Sequence, residues 1–185
     1  METMTRRTIR RLTLLAAAFA VGAPLVAGVP LAVDPAEIPN YQVIRPGLAF
    51  GGQPSPETLQ RLGDMGFRTV VNLRTEQEGA AQEGHVVRAL GLDYVWVPVT
   101  SGTFSLEDVQ AVERVLDDPE AAPVLLHCAS SNRVAAVWAA IQTRDGRTLE
   151  EAEAAGRAAG LHSPSMWEAV LRVLDFVPVG AGVNP

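Results

Sequence analysis

Pro123-Val-Leu-Leu-His-Cys-Ala-Ser-Ser-Asn-Arg133 is the stretch of this 185-residue chain that says most about its fold. A short apolar run ends at His127-Cys128, small residues follow, and an Ala-rich segment begins after Arg133. This order predicts a buried strand, a tight loop and then a helix. Ligands of open α/β sheets bind at the carboxyl ends of the strands, so we expect this loop to be part of a functional site.

Cys128, the only cysteine in the chain, is a candidate nucleophile. The thiolate is the reactive form of cysteine, and the free N–H groups and partial positive charge of a helix N-terminus stabilise an anion. Arg133 adds a planar charge that suits two parallel hydrogen bonds to an oxyanion. The alternative is that Cys128 only fills space, because free cysteine is often buried. His127 is expected to be a hydrogen-bonded histidine at the strand end, with a supporting role.

The rest of the chain alternates strand and helix signals. Extended segments are predicted at 41–50, 68–73, 94–99 and 124–127, and helices at 55–66, 75–90, 105–116, 133–143, 149–159 and 164–175. Strands that alternate with helices predict an α/β fold with a central, mainly parallel sheet flanked by helices. The last three helices form a helical C-terminal part.

The N-terminal segment, residues 1–33, has the composition of an export signal. Its arginines are followed by an uncharged apolar stretch from Leu12 to Val33, which glycine and proline interrupt. A basic start before an apolar run is typical of a signal peptide, and the run is also long enough for a membrane anchor. We therefore predict a protein that is exported to the periplasm or secreted, with anchoring to the inner membrane as the alternative. Residues 34–185 are predicted to be a single domain.

Composition excludes several functions. The net charge is −6, and an acidic domain is a poor ligand for nucleic acid. All basic residues are arginine, so a Schiff-base lysine and the lysine of a phosphate-binding NTPase loop are excluded. His85, His127 and His162 lack the spacing of metal ligands, and we expect neither a metal nor a cofactor. A single cysteine cannot form an internal disulfide bond.

Four motifs together resemble a known family. They are Phe50-Gly-Gly-Gln-Pro-Ser-Pro-Glu57, Gly66-Phe-Arg-Thr-Val-Val-Asn-Leu-Arg74, Gly91-Leu-Asp-Tyr-Val-Trp-Val-Pro98 and His127-Cys-Ala-Ser-Ser-Asn-Arg133. In this order they resemble the bacterial beta-lactamase-hydrolase-like (BLH) phosphatase domains, which are relatives of the dual-specificity protein tyrosine phosphatases. The resemblance covers about residues 40–175.

The resemblance implies a cysteine-phosphatase-like fold and specific roles for the loop residues. Cys128 is then the nucleophile that forms a phosphocysteine, and Arg133 binds the phosphate. The backbone of Ala129, Ser130, Ser131 and Asn132 is the implied phosphate cradle.

The chain departs from the family pattern in four places. The loop has one residue fewer between its cysteine and arginine than the better-known tyrosine phosphatases have. Ser131 stands where relatives commonly have glycine, so a left-handed turn there would cost about 1 kcal/mol or more. Val134 replaces a frequent hydroxyl residue. The segment 100–105 contains no aspartate to serve as general acid, and Glu107 and Asp108 are better explained as charges that favour a helix start.

Three functions are compatible with these residues. The first is a phosphatase that acts on phosphotyrosine-like or small aryl phosphates, with a phosphorylated small molecule or a phosphoprotein as partner. The second is a rhodanese-like sulfurtransferase that carries a persulfide on Cys128, although the Gly-Gln-Pro and Asn-Leu-Arg motifs are foreign to rhodaneses. The third is a phosphate-binding or phosphoprotein-binding module that has lost its catalytic acid. We expect the protein to be a monomer.

Overall fold

The structure is a computed structural model, and it describes residues 33–175. The predicted export segment therefore lies outside the described residues, apart from Val33. Within residues 33–175, no helix combines the length and the apolar composition that a membrane crossing requires.

The described residues form an α/β fold whose elements follow the predicted order. The strands are β1 (Gln42–Arg45), β2 (Leu48–Gly51), β3 (Thr69–Asn72), β4 (Asp93–Trp96) and β5 (Val124–His127). The helices are α1 (Pro56–Leu59), α2 (Ala80–Ala89), α3 (Leu106–Leu116), α4 (Asn132–Arg144), α5 (Leu149–Ala158) and α6 (Pro164–Val173). The predicted fold class is confirmed, including the three consecutive helices at the C-terminal end.

The strands form one sheet in the order β1-β2-β5-β3-β4. β1 pairs antiparallel with β2 at one edge, and all other pairs are parallel. Helices α1 and α2 cover one face, where Val70 and Leu125 meet Leu62 and Val87. Helices α3, α4 and α6 cover the other face. Such two-sided cover explains why β5 is buried along its whole length and why its first three residues, Val124, Leu125 and Leu126, are apolar.

Two predicted helices are shorter in the structure. The helix predicted at 55–66 retains its Ser55 cap and its first-turn proline but is regular only over Pro56–Leu59. The helix predicted at 75–90 is divided: Thr75 caps a 3₁₀ turn, Glu76–Glu78, and α2 starts only after Gly79. Gly79 has a left-handed backbone with φ 86°, a conformation that glycine adopts without steric cost.

The register aligns the carboxyl ends of three parallel strands at the same end of the sheet. On β5, His127 lies opposite Gly51 of β2 and Asn72 of β3. Because β2, β5 and β3 run parallel, the segments that follow them emerge side by side. The loop after β5, the Gly-Gln-Pro motif after β2 and the Asn-Leu-Arg motif at the end of β3 therefore lie next to one another at this end of the sheet.

Candidate active site

Cys128 opens a tight loop, residues 128–131, which we call the cysteine loop. The Cys128 side chain is buried, and its backbone N–H donates to the carbonyl oxygen of Gly51 at 3.3 Å. The backbone N–H groups of Ala129, Ser130, Asn132 and Arg133 find no acceptor among residues 33–175. These donors lie at the start of α4, where the helix dipole favours negative charge. The arrangement can bind an anion beside the sulfur.

Ser131 carries the strain that the sequence predicts at this loop. Its backbone is left-handed, with φ 68° and ψ −12°, although it is the residue that precedes α4. Its side chain is completely buried, and Oγ has no hydrogen-bond partner in the described structure. This is the left-handed backbone conformation whose free-energy cost was predicted for a serine at this position.

Arg133, on the first turn of α4, is fixed by a carboxylate from the opposite side of the site. Its Nη1 and Nη2 donate to Glu78 Oε2 and Oε1 at 2.7 and 2.6 Å. Nη1 also donates to the carbonyl oxygens of Val99, at 3.2 Å, and Leu73, at 3.4 Å. Within residues 33–175 no acceptor faces Nε, so the edge formed by Nε–H and the second Nη2–H remains for an oxyanion.

Arg133 also lies near Cys128. Burial acts to lower the pKa of Arg133, but hydrogen bonds and charge interactions with Glu78 and with Cys128 outweigh it and raise the pKa above its ordinary value. Arg133 is thus a permanent cation that is held by Glu78 and lies near Cys128. A phosphoryl group at the cysteine loop would meet both.

Glu78 is a site residue that the sequence did not identify as one. The hydrogen bond from Arg133 lowers the pKa of Glu78 to about 2 against an opposing effect of burial. Thr75 also donates to Glu78 Oε2 from its backbone N–H, at 2.8 Å, and from its hydroxyl, at 3.0 Å. Glu78 thus has two roles, because it completes a capping box with Thr75 and also binds Arg133.

His127 points to the other face of the sheet from Cys128, as adjacent residues of a strand do. The ring is fully buried, and its Nε2 lies 2.8 Å from Glu83 Oε1. Arg74 joins the same carboxylate, with Nη1 at 3.3 Å from Glu83 Oε2. Arg74 therefore forms an ion pair with Glu83.

The loop after β4 offers no general acid. Thr100 and Thr103 bond to each other through their hydroxyl groups at 2.9 Å. Asp108 accepts hydrogen bonds from the backbone N–H and the hydroxyl of Ser105 at 2.9 and 3.1 Å, which completes the capping box at the start of α3. Glu107 lies exposed on the same helix. The part of the chain that the structure describes contains no group of three or more His, Cys, Asp or Glu side chains placed to hold a metal ion.

Comparison with known sequences identifies similar proteins. Residues 40–145 match the family described as "Beta-lactamase hydrolase-like protein, phosphatase-like domain". The beta-lactamase hydrolase-like protein of Xylella fastidiosa is 34% identical over 119 residues, which cover 61% of this chain and 27% of that protein. The chain thus spans about a quarter of the length of this curated relative.

Solved structures share the fold. A DUF442 protein from Shewanella putrefaciens superposes with a TM-score of 0.61 at 24% identity, over 76% of this chain and 95% of its own. TpbA of P. aeruginosa, solved in complex with phosphotyrosine, gives a TM-score of 0.57 at 18% identity, over 78% of this chain and 93% of its own. At these identities the likeness concerns the fold alone.

Proposed function

The chain belongs to the family of phosphatase-like domains of beta-lactamase hydrolase-like proteins, and from this membership and the site geometry we propose that it is a cysteine-dependent phosphatase. Its proposed substrates are phosphate monoesters of the phosphotyrosine or small aryl type. The observation that carries the proposal is the set of free backbone N–H groups at the head of α4, beside Cys128 and the open edge of Arg133.

The proposed reaction has two steps. The Cys128 thiolate attacks phosphorus, an S–P bond forms, and the P–O bond to the leaving group breaks with its electron pair on oxygen. Water then attacks the phosphocysteine, which releases inorganic phosphate and restores the thiolate after loss of a proton to solvent. Throughout, the free backbone N–H groups of Ala129, Ser130, Asn132 and Arg133 and the guanidinium of Arg133 stabilise the charge on the transferring group.

The substrate class follows from what the site lacks. A positioned general acid contributes about 10²–10⁴-fold, and it matters most when the departing oxygen is strongly basic. With no carboxylic acid in the loop 100–105, a phenolate can leave far more readily than the alkoxide of phosphoserine. TpbA, which shares the fold, was solved with phosphotyrosine bound, and this supports an aryl phosphate as ligand.

The experiment compares phosphoryl and sulfur transfer by the same reduced protein. Hydrolysis of para-nitrophenyl phosphate and the thiosulfate:cyanide reaction are measured for the parent, for Cys128→Ser and for Arg133→Ala. We expect slow phosphate release that both substitutions abolish, and no thiocyanate. Thiocyanate formation that needs Cys128 would identify a sulfurtransferase instead.

A binding module is the second candidate, and the missing acid is the observation that favours it. It predicts tight binding of inorganic phosphate with no turnover of any aryl phosphate. Calorimetric titration of phosphate into Cys128→Ser, beside the rate assay on the parent, separates the two functions.

A further inference from the structure

Glu83 lies at the centre of a buried polar cluster on the far side of the sheet from Cys128. Its side chain is only 3% exposed. Oε1 accepts from Asn72 Nδ2 at 2.9 Å and from His127 Nε2 at 2.8 Å. Oε2 accepts from Gln53 Nε2 at 2.7 Å and from Arg74 Nη1 at 3.3 Å. One carboxylate from α2 thus joins the segments that end or follow β2, β3 and β5.

The cluster accounts for motifs that the phosphatase chemistry leaves unexplained. Gln53 is the middle residue of Gly-Gln-Pro, while Asn72 and Arg74 belong to Asn-Leu-Arg. The Arg74 side chain also donates to Gln53 Oε1, and its backbone N–H donates to Asn72 Oδ1 at 2.8 Å. Each of these side chains has a fixed partner, and all of them converge on Glu83.

The cluster is connected to the cysteine loop at two points. The backbone N–H of Gln53 donates to the carbonyl oxygen of Ala129 at 3.1 Å. His127 directly precedes Cys128, and its Nδ1 lies 3.4 Å from the Cys128 carbonyl oxygen. Any movement of either anchor shifts the junction between the strand and the loop.

The charge of Glu83 determines which nitrogen of His127 carries a proton. Burial would raise the pKa of Glu83, but the hydrogen bond and charge of His127, followed by Gln53 and Arg74, outweigh it and lower the pKa. An ionised carboxylate only accepts hydrogen bonds. Nε2 of His127 must therefore be the donor, which orients the ring.

We propose that Glu83 is a positioning residue that fixes, through His127 and Gln53, the junction from which the cysteine loop starts. The inference deepens the proposed function and rests on it, because the geometry that it protects is that of Cys128 as nucleophile. Within residues 33–175, the Glu83 carboxylate bonds to neither the sulfur nor the cradle, so it acts only through its partners. Placement errors of about 1 Å can reduce the rate of an enzyme about 10²-fold.

Glu83→Gln is the direct test, because it keeps the shape and removes the charge. The NH₂ group of the introduced glutamine takes the place of one carboxylate oxygen, Oε1 or Oε2, and there it meets N–H donors. On the Oε2 side, Arg74 has no acceptor to offer, and Gln53 cannot turn its Oε1 toward the NH₂ group without breaking its bond with Arg74. On the Oε1 side, Asn72 likewise keeps its Oδ1 on the backbone N–H of Arg74, but His127 can adapt by moving its proton from Nε2 to Nδ1, so only one donor remains opposed there. We expect that tautomer in the variant, together with a kcat for para-nitrophenyl phosphate that is about 10–100-fold lower and a KM that changes much less.

Nitrogen NMR of the histidine side chains provides the readout that a merely structural role would not move. In the parent, we expect Nε2 of His127 to be protonated, and a bare Nε2 would overturn the proposal whatever the activity. An unchanged kcat in a folded variant would also overturn it. Glu151→Gln is the matched control, because Glu151 completes the capping box of α5 at an exposed site and glutamine can take the same place in a capping box.

Two further comparisons keep the test decisive. If Glu83→Gln does not fold, Gln53→Leu removes one donor at a half-buried position, and a kcat equal to that of the parent would refute the positioning role. If the parent itself turns over no phosphate ester, the proposed function fails, while the protonation of His127 in the parent still tests the Glu83 contact on its own.

Discussion

Replacing Ser131 should make the protein more stable. Ser131 is the residue before α4, with a left-handed backbone at φ 68° and a buried hydroxyl that has no partner. A left-handed residue with a β-carbon costs about 1–2 kcal/mol, and a buried hydroxyl without a hydrogen bond costs about 1–3 kcal/mol. Serine is normally favoured before a helix because it caps the first turn, but Ser131 makes no such bond.

Two substitutions separate these contributions. Ser131→Ala removes only the hydroxyl, and we expect a gain of about 1 kcal/mol in the free energy of unfolding. Ser131→Gly also relieves the backbone, against about 0.5–1 kcal/mol for the greater freedom of unfolded glycine. The glycine variant should therefore exceed the alanine variant by about 0.5–1 kcal/mol. For a domain of this size, each kcal/mol corresponds to about 2–4 °C in melting temperature.

Urea unfolding of the reduced protein measures both differences, and a third variant provides the control. Ser105 precedes α3 with an extended backbone, φ −134°, and its hydroxyl accepts from the backbone N–H of Asp108 at 3.3 Å. Ser105→Gly should therefore be destabilising by a few tenths of a kcal/mol, the opposite sign. A Ser131→Gly protein that is no more stable than Ser131→Ala would refute the argument from backbone strain.

Three other predictions address the stability at acid pH, the dependence of the rate on the leaving group and the fate of the N-terminal segment. Glu78 has a pKa of about 2 in the folded protein, below its ordinary value of 4.5. Its contribution to stability is therefore present above about pH 4.5 and is lost as the pH falls toward 2. Glu78→Gln should make the stability measured by urea unfolding depend less on pH in this range, and an unchanged dependence would contradict the ion pair with Arg133. A plot of log rate against leaving-group pKa for aryl and alkyl phosphates should fall steeply, whereas a flat line would mean that a carboxylic acid such as Glu107 or Asp108 protonates the leaving group. Residues 1–33 are proposed to direct export, so the intact mass of the protein from its native host should lack them, and a cytoplasmic protein with all 185 residues would rule this out.

The fold was predictable because its signals are local. Apolar runs, capping residues and glycine positions mark nearly every element, and the position of Cys128 at the end of a buried strand follows from them. The helix predicted at 55–66 was too long because an inward-facing leucine does not require a helix. Leu59 packs inward from the end of α1, and Leu62 packs inward from the turns that follow it. Helical periodicity alone does not distinguish the two.

The carboxylates of the site were not predictable in the same way. Glu78 lies 55 positions before Arg133 in the sequence, and Glu83 lies 44 positions before His127. Neither pair has a spacing that points to contact, and Glu78 already had a sufficient local role as a capping residue. The available signal for these contacts was the presence of several polar motif residues at the strand ends, Gln53 and Asn72 among them. Buried polar groups need partners, and a shared acidic partner could have been sought.

Trapping the covalent intermediate tests the central claim most directly. The reduced protein is mixed with an activated aryl phosphate that carries a radioactive phosphoryl group, quenched rapidly in denaturant and digested. We predict that the label is on the peptide that contains Cys128, that it forms before inorganic phosphate is released, and that Cys128→Ser neither acquires it nor releases phosphate. Phosphate release at the parent rate by Cys128→Ser, or a label on a different residue, would contradict the proposed mechanism.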